Sequence, residues 1–74
     1  MQTKGAYRVG TAFNPSGEDA VGKIKAAAAE LIDLIESLNA SGIESARLKA
    51  LAQTSIEEGA MWAAKLATKP PADF

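Results

Sequence analysis

Phe13-Asn14-Pro15-Ser16-Gly17 sets an aromatic ring one rigid turn ahead of a long helical run. Pro15 fixes its own φ and biases Asn14 away from helical angles. Ser16 is then placed to cap the free N–H groups of a helix that begins near Gly17. A ring beside a helix N-terminus offers a flat surface for stacking and oriented donors for an anion, the two needs of a nucleotide-like ligand. The same five residues also fit a hydrophobic staple, with Phe13 simply pinning the chain where the helix starts. Helix caps are common, so the staple is the first reading of the turn alone.

Lys25 follows on the same helix, flanking the apolar positions Val21, Ile24 and Ala28. Lys23 is about 200° away around the helix and is expected to face solvent. A helical side chain leans toward its own N-terminus, which carries the Lys25 ammonium back toward the turn. The plainer alternative is a solvated lysine paired with Glu18 or Glu30. Glu18 and Asp19 also partly satisfy the positive helix end themselves. Arg47 lies further along, on one stripe with Leu51, Thr54 and Glu58, and a surface pair with Glu44 is its plain reading.

Catalysis finds no support. The chain has no histidine and no cysteine, the residues on which most nucleophile–base pairs depend. Di-metal helical sites need a Glu-x-x-His pattern that is equally absent, and no cofactor is implied. Glu57 and Glu58 are neighbours on a helix and point in different directions.

These residues must be positioned by very little protein. Seventy-four residues make one domain at most. A core of this size supplies about 3–5 kcal/mol, so such chains lean on disulfides, metals or partner subunits. Without Cys or His, oligomerisation remains, and 47% apolar residues give it material. A net charge of −1 argues against DNA or long RNA as partners. No apolar run approaches the roughly 18–20 residues that span a bilayer, and no signal-peptide core is visible. A soluble cytoplasmic protein without a membrane partner is expected.

The expected fold is all-α, an antiparallel helical hairpin with an extended N-terminal arm. Residues 1–15 form the arm, broken by Gly5, Gly10 and Pro15. The hairpin occupies residues 16–67, with helices over about 17–38 and 42–67. Ser16 and Asp19 approximate a capping box for the first helix, and Asn39 can supply a left-handed stop. Val21, Ile24, Ala28, Leu31, Ile35 and Leu38 form its packing seam, with Ile32 and Leu34 off the stripe. Ser41-Gly42-Ile43-Glu44 is a better capping box for the second helix. Gly59 costs about 1 kcal/mol inside that helix, so close packing is expected to compensate. Residues 68–74 read as a disordered tail. Two helices bury one stripe each, so the surplus apolar surface, including Trp62, must find other subunits. Met61 and Trp62 are read as packing residues.

Two segments together resemble a known family. The first is Phe13-Asn14-Pro15-Ser16-Gly17 with Ile24-Lys25 and Ala29-Glu30-Leu31-Ile32-Asp33; the second is Ala46-Arg47-Leu48-Lys49-Ala50-Leu51-Ala52-Gln53-Thr54 with Glu57-Glu58-Gly59-Ala60-Met61-Trp62-Ala63-Ala64-Lys65. Over residues 7 to 67 the chain is similar to the phage anti-CBASS cyclic-oligonucleotide sponges, the family called anti-CBASS protein two. (CBASS is a bacterial antiphage system that signals through cyclic oligonucleotides.) The resemblance implies a compact symmetric homohexamer acting in the host bacterial cytoplasm. It implies capture of intact cyclic dinucleotides such as cyclic GMP-AMP, and of cyclic trinucleotides at separate sites. Phe13 then stacks on the bases, with Tyr7 as the second candidate; Lys25 contacts phosphate, aided by Asn14, Ser16 and Gly17. Arg47 and Thr54 are assigned to the trinucleotide. A helical scaffold or regulator that binds a protein partner is the competing reading, and an enzyme that hydrolyses cyclic nucleotides a third.

Overall fold

The computed structural model describes residues 2–70, and the chain there forms three helices: α1 (Lys4–Val9), α2 (Asp19–Glu36) and α3 (Ile43–Thr68). The two-helix hairpin lies within one or two residues of its expected bounds. Residues 71–74 of the expected tail lie outside the described range, and Thr68 is still helical.

The arm is not extended. Thr3 caps α1 by accepting from the Ala6 N–H at 3.0 Å, and Gly10 ends it in the left-handed region at φ 75°, its N–H on the Ala6 carbonyl. Gly5 lies inside this helix because α2 passes too close for a side chain. A methyl built there would overlap the Ala29 carbonyl oxygen and stand 2.8 Å from Asp33 Oδ1. The Gly5 N–H, one of the unpaired donors of the first turn, is satisfied by Asp33 Oδ1 at 2.7 Å. Glycine works here by allowing two backbones to meet, so the residue that looked like a breaker is a contact.

The packing seam of α2 is turned from its expected position. Val21, Ala29 and Ile32 are buried, Ile24, Ala28 and Ile35 are half-buried, and Leu31 and Leu38 are exposed. Ile32, expected off the stripe, is fully buried. Two helices compete for α2: α1 takes the Ala29–Asp33 side, and α3 lies along its length. Half-buried Lys25 and exposed Glu36 lie on the stripe of Val21 and Ile32, and both are hydrogen-bonded to other helices or loops.

Gln53 ties the three helices together. Its side chain is 1% exposed, and a buried amide must find partners. Its Nε2 donates to the Ile32 carbonyl at 3.3 Å and to Glu36 Oε1 at 3.0 Å, while its oxygen accepts from Lys4 Nζ at 3.3 Å. Lys4 also donates to Glu36 at 2.8 Å. The bonds from Lys4 and then Gln53 hold the Glu36 carboxyl down, from an ordinary 4.5 to about 2, against a smaller opposing effect of burial. A folded-state pKa below the unfolded one means stability that is complete above about pH 4.5 and fades as pH falls toward 2. Thermal midpoints of the wild type and Glu36→Gln are therefore expected to differ at pH 5 and to converge by pH 2. A constant gap across that range would remove Glu36 from the account.

The helix caps also differ from the sequence reading. Ser16 accepts the Glu18 N–H at 3.2 Å, one residue ahead of α2, whose cap residue is Glu18 with no side-chain bond. Asn39 is not left-handed, since no non-glycine residue has positive φ among those described. The end of α2 is held instead by Ser37 Oγ on the Leu34 carbonyl and Lys49 Nζ on the Glu36 carbonyl. Gly42, at φ 94°, precedes α3 in place of a Ser41 cap, and Glu44 turns to Arg47. Gly59 has no close neighbour in the protomer: a methyl there would meet nothing within 4 Å.

The result is a single layer of helices, 49 × 33 × 13 Å with a radius of gyration of 14.2 Å. A compact chain of this length would have a radius of about 11 Å. A layer one helix thick cannot cover both faces of its own apolar surface.

Candidate ligand-binding groove

α3 is eight residues longer than α2, 26 against 18. Its last two turns lie beside the first two turns of α2 and the loop between α1 and α2. Phe13, Asn14, Pro15 and Ser16 from the loop, Lys25 from α2, and Met61, Ala64, Lys65 and Thr68 from α3 enclose an open groove of about 410 Å³. Among the described residues, two lysines line it and no carboxylate does.

The loop is a self-satisfied scaffold. Gly17 N–H donates to the Asn14 carbonyl at 3.1 Å, Asn14 Nδ2 to the Glu18 carbonyl at 3.0 Å, and Ser16 Oγ to Asn14 Oδ1 at 2.8 Å. The Gly17 N–H, the Ser16 hydroxyl and one N–H of Asn14 Nδ2, all expected to meet a ligand, are thus engaged within the turn. What the turn presents outward is the Phe13 ring, 70% exposed. A ring used only as a staple would be covered.

Lys25 pairs with neither Glu18 nor Glu30. Its ammonium donates to the Phe13 carbonyl and to the Gly10 carbonyl (3.2 Å), and stands 5.4 Å from the centroid of the Phe13 ring. The lean of the side chain toward its helix start delivers the charge to the turn, as expected. Lys23 faces solvent and pairs with Asp19 at 3.3 Å. Tyr7 is exposed on α1, outside the residues that line the groove.

Arg47 and Thr54 are not brought together. The Arg47 guanidinium holds Glu44 with two bonds, 2.7 and 3.2 Å, and that carboxylate raises its pKa. Thr54 Oγ1 accepts from Arg8 at 3.2 Å. Arg8 also holds Glu57 at 2.7 Å, beside a second recess of about 260 Å³ that shares Lys25, Met61 and Ala64 with the groove. Sequence reasoning missed Arg8 and Lys65. Arg8 falls in a segment read as extended, and Lys65 becomes a groove residue only through the register of α3 against α2 and the loop. Met61 and Trp62, read as packing residues, are about 60% exposed in the protomer.

The family model for the Acb2/Tad1 hairpin domain matches residues 6–67. The chain belongs to this family. Its matched span takes in most of α1, all of α2 and α3 up to Ala67, and with them every residue that lines the groove except Thr68. No curated protein and no solved structure matches the chain. Among the described residues no helix is long and apolar enough to cross a membrane.

Proposed function

We propose that the protein captures cyclic oligonucleotides and holds them intact, so that CBASS effectors in the host bacterial cytoplasm are never triggered. The observation that carries this reading is the exposed Phe13 ring beside the Lys25 ammonium, on the rim of a groove that among the described residues has two cations and no carboxylate. Membership of the Acb2/Tad1 family supports it. Base stacking on Phe13 supplies a π surface, and the lysines favour a phosphate diester over a neutral ligand. Because the chain has no His or Cys to activate a nucleophile, the ligand is released unchanged rather than cleaved.

The binding form is a symmetric assembly, a hexamer on the family pattern. A single-layer protomer leaves Leu34, Ile43, Leu51, Trp62 and Leu66 more than half exposed. Gly59, with open space around it on α3, is suited to the close approach of a neighbouring backbone. Arg47 acts in this assembly by exchanging Glu44 for the phosphates of a cyclic trinucleotide, with Thr54 nearby. Arg47→Ala is expected to impair trinucleotide capture and to spare cyclic GMP-AMP in titrations of both ligands. Equal loss of the two would place Arg47 in the assembly instead.

The exposed apolar surface also favours a second reading, a scaffold that binds a protein partner. Purified protein is saturated with cyclic GMP-AMP, desalted and heat-denatured, and the supernatant is chromatographed. Intact ligand supports capture, cleaved ligand an enzyme, and no ligand a scaffold.

A further inference from the structure

Eight lysines and arginines contribute to the charge balance of this chain, and six of them already hold an oxygen. Lys4 is on Glu36, Arg8 on Glu57, Lys23 on Asp19 and Arg47 on Glu44. Lys49 donates to the Glu36 carbonyl, and Lys25 commits two N–H bonds to the Phe13 and Gly10 carbonyls. Among the described residues, the side chains of Lys65 and Lys69 are the two without such a partner. Only Lys65 lines the groove.

The Lys65 ammonium is exposed but not loose, standing 5.4 Å from the centroid of the Trp62 ring. A cation over an aromatic face is held by the ring quadrupole and keeps its full charge. Trp62 is fixed in turn by its indole N–H, which reaches Glu58 at 3.4 Å. The ordering cost of a long side chain on binding is thereby partly met in advance.

We propose that Lys65 is a ligand-binding residue of the groove, giving a charge-assisted contact to a phosphate of the cyclic dinucleotide from α3. Lys25, whose ammonium also donates to the Phe13 and Gly10 carbonyls, faces the same groove from α2. The proposal rests on the groove being the cyclic-dinucleotide site. It makes Trp62 a support for Lys65 rather than a surface for the bases.

The test is calorimetric titration of cyclic GMP-AMP into wild type, Lys65→Gln and Lys69→Gln. Lys65→Gln is expected to bind on the order of tenfold more weakly at low ionic strength. The gap should narrow as salt is added. Lys69→Gln should match wild type, and all three should melt together. Wild-type binding with Lys65→Gln unchanged overturns the assignment, as does an equal loss in Lys69→Gln, which would mark a diffuse charge effect. Failure of wild type to bind at all would instead defeat the functional reading beneath it.

Discussion

Replacing Phe13 with alanine is expected to weaken cyclic GMP-AMP binding about tenfold to over a hundredfold. Stacking of one base on an aromatic ring is worth about 1–3 kcal/mol, and each 1.4 kcal/mol is about a factor of ten. The ring is 70% exposed and contributes little to the protomer core, so the melting temperature should hold. Phe13→Tyr keeps the π face and should retain binding. An alanine variant that titrates like wild type would show that the ring is a staple after all. A joint loss of binding and stability would say the same by another route, since a staple is what a fold would miss.

Gly5→Ala should be the most damaging conservative substitution in the chain. A methyl at that position meets the Ala29 carbonyl oxygen and Asp33 Oδ1, both on α2, so one helix must move. Overpacking of this kind costs about 1–3 kcal/mol, against a total of about 3–5 kcal/mol for a core this small. Urea unfolding should therefore shift its midpoint markedly downward. Gly59→Ala gives the contrast, because the methyl there enters open space within the protomer. If Gly5→Ala unfolds at the wild-type urea concentration, α1 does not lie on α2 as described.

Much of the hairpin is legible in the residues themselves. Two long helical runs, the break at Asn39–Ser41 and the proline-fixed turn place α2 and α3 within a residue or two. The α1 helix is not legible by the same rules. Gly5 and Gly10 count as breakers until it is known that one meets a backbone and the other ends a helix at positive φ. Thr3 is a cap in plain view, but six residues are too few for a periodic signal.

The seam of α2 was misplaced for a related reason. A search for apolar residues at heptad spacing passes over Lys25 and Glu36, yet both sit on the inward stripe, and their partners come from α1 and its loop. Without α1 and its loop neither charge has a partner on that stripe. The site was legible where one segment suffices: Phe13 ahead of a helix, and a lysine leaning back toward it. Lys65 depends on the register that sets the end of α3 beside the start of α2 and its loop, a property of the fold rather than of any short segment.

The central claim is that several copies of this flat protomer close around small cyclic anions without altering them. Native mass spectrometry of the protein mixed with a panel of cyclic di- and trinucleotides tests it most directly. The account predicts one closed multimer, six chains on the family pattern, carrying whole-ligand mass increments. A lone 7.7 kDa chain with no added mass from any member of the panel would contradict it.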